Sequence, residues 1–65
     1  MRIGDKYKVI KKIVTNGNDY FEKDEIVLYN GIHGISFKIK EFTSLDKQSF
    51  FAVAESQLSK FLEKI

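Results

Sequence analysis

Ile26-Val27-Leu28-Tyr29-Asn30-Gly31-Ile32-His33-Gly34-Ile35-Ser36-Phe37-Lys38-Ile39-Lys40 decides the fold class of this chain. Four apolar residues run into Asn-Gly, the dipeptide that most strongly signals a tight hairpin, because both residues tolerate positive φ. Beyond it Ile35, Phe37 and Ile39 alternate with Ser36, Lys38 and Lys40. That period of two is what a half-buried strand writes into its sequence. Ile32 is out of phase, and a bulge or longer loop at His33-Gly34 corrects it. The stretch predicts two antiparallel strands, with Ile35, Phe37 and Ile39 turned inward and Ser36, Lys38 and Lys40 outward.

Working outward, the chain repeats the theme. Between Asp5 and Val14, Tyr7, Val9 and Ile13 alternate with Lys6, Lys8 and Lys12, interrupted at Ile10-Lys11. This predicts a first strand with a break. Asn16-Gly17-Asn18-Asp19 is loop chemistry. Glu22-Lys23-Asp24-Glu25 reads as a turn feeding the Ile26–Tyr29 strand, Thr43 to Lys47 as a second turn region, and Ser49 to Val53 as another strand. Then the period changes. Ala54, Leu58, Phe61, Leu62 and Ile65 fall on one helical face, with Ser56 and Glu55 suited to a helix start, so 54–65 is predicted as a C-terminal helix. Ile10, Val27, Tyr29 and Phe50 fall on the strand face opposite the main core set. They offer that helix a second surface.

Composition bounds what such a chain does. Its 65 residues are 43% apolar, with six Phe and three Tyr but no Cys, Pro or Trp. A chain this short carries a modest single core, and without cysteines that core is built from side chains alone. One domain is expected, 1–53 a β-barrel and 54–65 the helix. No signal peptide is visible, and the longest apolar runs are four or five residues, too short to span a bilayer. A cytoplasmic protein with no membrane association is the expectation. Neither metal nor cofactor is expected, since His33 is the only histidine and a zinc site needs about four converging ligands. His33 lies in a predicted loop with no nucleophile tied to it by spacing, and Gly31 and Gly34 lack the strand-to-helix setting of a phosphate loop. No catalytic residue is assigned, and the chain is read as a binding protein and not an enzyme.

Two kinds of side chain are candidates for binding. Tyr20, Tyr29, Phe42 and Phe50 are the aromatics off phase or beside loops, and aromatic anchors are what protein interfaces concentrate at their centres. Of these, Tyr20 and Phe42 are expected to be the more exposed, with the helix covering Tyr29 and Phe50. Lys6, Lys8 and Lys12 share one strand face and Lys38 and Lys40 another. Were those strands neighbours, the five ammonium groups would form a patch for nucleic-acid phosphates. A net charge of only +2 and acids at Asp5, Glu22, Asp24, Glu25 and Glu41 dilute that field. A protein partner is the leading expectation and nucleic acid the alternative. The helix face Leu58-Phe61-Leu62-Ile65 either packs on its own barrel, the preferred reading, or joins a second copy, so the chain is a monomer or a homodimer.

The β-rich pattern with a terminal helix fits either a small bent barrel or an open antiparallel sheet with the helix across one face. Gly4-Asp5-Lys6-Tyr7-Lys8-Val9-Ile10, Phe21-Glu22-Lys23-Asp24-Glu25-Ile26-Val27 and Phe51-Ala52-Val53-Ala54-Glu55-Ser56-Gln57-Leu58 favour the barrel. They resemble the small Src-homology-3-like barrels encoded by phages and mobile elements of Gram-positive bacteria. In that group a GDxYxV strand precedes a long loop, an F-x-K-G-E-x-V turn and an aromatic strand entering a short helical turn. Many Lys and Ile with little Arg and no Pro likewise resemble proteins of AT-rich Gram-positive hosts and their phages. The resemblance implies a mainly β, Src-homology-3-like barrel acting as a binding module, without implying a particular ligand. With the compact size, the missing catalytic groups and the available aromatics, it makes an accessory protein of a phage or mobile element that binds, and in binding inhibits, a protein the leading expectation. Two departures stand out: Asp24 replaces the usual Gly, and the predicted helix outruns the usual one by about two turns. Without tryptophan, the Pro-rich-peptide mode of Src-homology-3 grooves is not carried over.

Overall fold

A computed structural model describes residues 1–15, 17, 19–35 and 37–65. Asn16 and Asn18, assigned above to a loop, and Ser36, assigned to an outward strand face, lie outside the described residues. Among the described residues seven strands form: β1 (Lys6–Val9), β2 (Ile13–Val14), β3 (Tyr20–Phe21), β4 (Ile26–Ile32), β5 (Ile39–Ser44), β6 (Phe50–Ala54) and β7 (Leu62–Lys64). A 3-10 turn at Glu55–Gln57 and a single α turn, α1 (Leu58–Phe61), separate the last two. Five strands make one curled antiparallel sheet in the order β6-β5-β4-β1-β7, and β2 pairs only with β3. The chain is mainly β with one short C-terminal helix, a small barrel-like fold. Its sheet is compatible with a Src-homology-3-like barrel.

Alternation along the strands builds the core. Tyr7 and Val9 of β1, Val27 and Tyr29 of β4, Phe42 of β5, Phe51 and Val53 of β6 and Leu62 of β7 turn inward, joined by Phe21 from β3. Phe42 is the hub. Its ring centroid lies 5.3 Å from Tyr7 and 5.6 Å from Tyr29, both edge-on, and 5.5 Å from the stacked ring of Phe51, which in turn meets Phe21 at 4.6 Å. Such pairs add about 0.5–1.5 kcal/mol each beyond area burial. Val27 and Tyr29 therefore belong to the core and not to the opposite face. The sequence reading took its phase from the Ile35-Phe37-Ile39 alternation, and that phase does not carry back into β4.

The reason is a bulge. β4 pairs with β5 in one register from Val27↔Ser44 to Tyr29↔Phe42 and in a register shifted by one at Ile32↔Lys40. Asn30-Gly31 sits inside this irregularity and does not make the hairpin turn. Gly31 supplies the positive φ, 101°, that a bulge often draws from glycine. The extra residue puts Ile32 out of phase, as the sequence indicates, but the bulge lies at Asn30-Gly31, three residues before His33-Gly34. The connection to β5 then spans 33–38, so Ile35 and Phe37, expected inward, are 98% and 76% exposed, and only Ile39 is half-buried.

The C-terminus departs most from expectation. Helical conformation covers Glu55 to Phe61, and Leu62 turns to φ −133° and ψ 147°. From there β7 pairs antiparallel with β1, Val9 opposite Leu62 and Tyr7 opposite Lys64. A helix continued to Ile65 would leave the outer edge of β1 without a ladder, and unpaired edge groups are costly where they are not solvated. The last part of the expected helix, Leu62–Lys64, is thus a strand. The Ile10 N–H donates to the Phe61 carbonyl at 2.8 Å, holding the helical turn to the end of β1. Leu62 still faces the core, while Ile65 does not.

Candidate binding surface

Of the four aromatics singled out for an interface, two are withdrawn by burial. Tyr29 and Phe42 lie in the core. Phe42 looked like a loop neighbour only because β5 was expected to stop sooner; the strand runs to Ser44 and places Phe42 in mid-ladder opposite both Tyr29 and Phe51. Tyr20 and Phe50 are each 59% exposed. Phe50, expected beneath the helix, points off the sheet face opposite Thr43 because it alternates with inward Phe51.

Phe50 does not stand alone. The short β2–β3 ladder stands beside the outer edge of β6, and Val14 of β2, 71% exposed, lines the same concavity as Phe50 and Ala52. On the other side of the Val14–Ala52 approach, a second hollow is lined by Lys12, Ile13, Val53, Ala54 and Phe61. The two hollows together make a groove between β2 and β6 that ends against the helical turn. Ile13 packs on the core and fixes β2 in place. Tyr20 sits opposite Val14 in the β2–β3 register. The Lys12 ammonium lies 4.8 Å from the Tyr20 ring centroid and 3.5 Å from the Glu22 carboxylate. Val14 was missed because Thr15 and the polar loop after it hide a strand of only two residues. Its β-branched side chain beside Ile13 was the available signal.

The lysines do not converge as the patch requires. Lys6 and Lys8 lie on β1 and Lys40 on β5, with β4 between them. Lys8 reaches Glu63 of β7 at 3.7 Å, and Lys12 is engaged as above. Lys38 falls in the 33–38 connection and not on a strand. His33 is tied into the sheet: its Nδ1 lies 3.2 Å from one Glu41 carboxylate oxygen while the Asn30 amide donates to the other at 2.7 Å. This cluster spans the bulge and braces the start of the connection.

Among the described residues, no group of three or more His, Asp or Glu side chains converges as a metal site would. No helix of the described chain is long and apolar enough to cross a membrane. The geometry offers a groove of mixed lining with aromatic and β-branched rims, whose basic side chains, Lys12 and His33, already face Glu22 and Glu41. Comparison with family models, with curated proteins and with solved structures finds no match for this chain.

Proposed function

We propose that the chain is a small non-catalytic binding module that engages a protein partner through the apolar surface around the β2–β6 groove. The observation that carries this reading is the exposure of Val14, Tyr20 and Phe50 around one side of the fold. Exposed aromatic and branched side chains gathered about a concavity are the usual centre of a protein contact. The quoted resemblance supports an accessory role for a phage or mobile element, in which binding a host or phage protein inhibits it. A nucleic-acid role has less support, because β4 divides the lysine faces and Lys8 and Lys12 already face carboxylates.

The test is capture from a Gram-positive lysate on immobilised wild-type protein and on Val14→Ser and Phe50→Ser variants in parallel. A protein held by the wild type and lost from both variants is the expected result. Retention of nothing specific, or equal retention on all three, rejects the reading.

A further inference from the structure

The two ends of the main sheet are built differently. β7 is three residues long and carries Glu63 and Lys64, the charged side chains that keep edges from pairing. β6 is five residues, Phe50-Phe51-Ala52-Val53-Ala54, with no charge, no proline and no bulge. Its hydrogen-bonding phase is fixed at both ends: the Ser44 N–H donates to the Ser49 carbonyl at 2.9 Å and the Glu55 N–H to the Lys38 carbonyl at 2.7 Å. In an antiparallel ladder such bonded pairs recur every second residue, so Phe51 and Val53 exchange their bonds with β5. The main-chain groups of Phe50, Ala52 and Ala54 point the other way, off the end of the sheet, where no strand among the described residues pairs with them. Val14 of β2 lines the same concavity as Phe50 and Ala52. The Thr15 N–H donates to the Asp19 carbonyl at 2.9 Å, which sets Ile13 as bonded to Phe21 and turns the main-chain groups of Val14 away from β3.

We infer that the groove takes one extended, uncharged segment of a partner protein, added as a strand to the free edge of β6; the inference rests on the protein-binding reading above. The row of main-chain donors and acceptors along the outer side of β6 suits a single extended chain, which presents matching groups along its side. A second copy of the whole protein fits less well, since its β6 would arrive with its own β2–β3 ladder standing alongside. Charge complementarity sets the composition. β6 offers no charge, and the basic side chains lining the hollows are already engaged, Lys12 by Glu22 and Tyr20 and His33 by Glu41. An acidic or basic residue at the centre of the segment would find no counter-ion there. Alternate side chains of the segment would meet Val14 and Phe50 on one side and Ile13 and Phe61 on the other.

The experiment pans a random nonapeptide phage library against the intact protein, then titrates the selected synthetic peptide into isotope-labelled protein and follows amide hydrogen exchange. The expected peptides are uncharged at their centre and slow exchange at Phe50, Ala52 and Ala54. N-methylating one central peptide amide, which deletes one main-chain bond, should weaken binding about tenfold. Ala52→Pro removes an outward N–H and should abolish binding; proline is tolerated on edge strands. The exchange map on wild-type protein decides the matter independently of how that variant folds. Peptides that perturb Ile35 and Phe37 while the β6 amides exchange as before would overturn the inference and leave protein binding standing. Slow exchange at Ala52 that depends on protein concentration without peptide would assign the edge to a second copy and overturn it too. No selected peptide, together with no specific protein from the lysate, would reject both readings.

Discussion

Phe42 carries more of the core than any other residue, because three of the aromatic contacts pass through it. Phe42→Ala should cost about 3–5 kcal/mol, since the rigid rings around it cannot collapse into the space. Urea denaturation would read this as a lower midpoint at unchanged slope; a loss below about 1 kcal/mol would remove Phe42 from its central place. The titrating groups give stability a shape in pH. Burial raises the Tyr7 phenol above its ordinary 10.0, with Asp5 and Tyr29 adding to the shift. A raised folded value means stability is complete below about pH 10 and lost as pH climbs through the folded value. Tyr7→Phe should flatten that alkaline loss in thermal melts across pH 9–12. Asp5 and Asp46 work at the other end. The Arg2 N–H bonded to Asp5, and the Ser44 hydroxyl followed by the Gln48 N–H on Asp46, hold both carboxylates below 3.8. Their contribution is present above that value and fades as pH falls through the lowered ones, so the same melts should decline on both sides of a neutral plateau.

At the scale of elements, the turn into β4 is the informative one. Asp24 adopts φ 76°, the left-handed conformation that costs a side-chain-bearing residue about 1–2 kcal/mol and glycine almost none. The Asp24 N–H nonetheless donates to the Val9 carbonyl at 2.6 Å, and the Val9 N–H to the Glu25 carbonyl at 2.9 Å, so the turn is locked to β1. Asp24→Gly should therefore stabilise by about 0.5–1 kcal/mol, the strain relieved less the added freedom of the unfolded chain. A lower melting temperature for that variant would mean the carboxylate does something there that compensates the strain. The C-terminal strand makes a matching prediction. Leu62→Ala should cost about 2–4 kcal/mol and Ile65→Ala less than about 0.5 kcal/mol, because only the first faces the core. Comparable losses at both positions would argue for a continuous helix face.

At the scale of the whole molecule, the exposed apolar side chains separate folding from function. Ile35, Phe37, Val14 and Phe50 are mostly outside the core, so replacing any one by Ser should move stability by no more than about 0.5 kcal/mol. Val14→Ser and Phe50→Ser alone should lose the partner, a contrast read by melting and capture on the same preparations. Partner binding through a groove whose basic side chains are already engaged by carboxylates should also weaken little between low and moderate salt, whereas contacts to phosphates would weaken steeply. A steep salt dependence would return the lysine faces to first place.

Local alternation made much of this chain legible. The β class, the strands around Tyr7, Val27 and Phe51, the turn at Glu22–Glu25 and the exposure of Tyr20 all follow from period, turn chemistry and side-chain size, which act between residues a few positions apart. Three features depended on the completed sheet. Asn30-Gly31 became a bulge because β4 had to pair with β1 and β5 at once, and a hairpin there would have cut it short. Leu62–Lys64 left the helical face because β1 had an edge to fill, and that partner lies more than fifty positions away. Tyr29 and Phe42 went inside because the register that sets them opposite one another is chosen by the whole ladder. Sequence by itself determined that this protein would be β and where the chain would turn into β4 at Glu22–Glu25. The tertiary structure alone decided which edge stayed open, since an edge is free only once every other strand has found its neighbour.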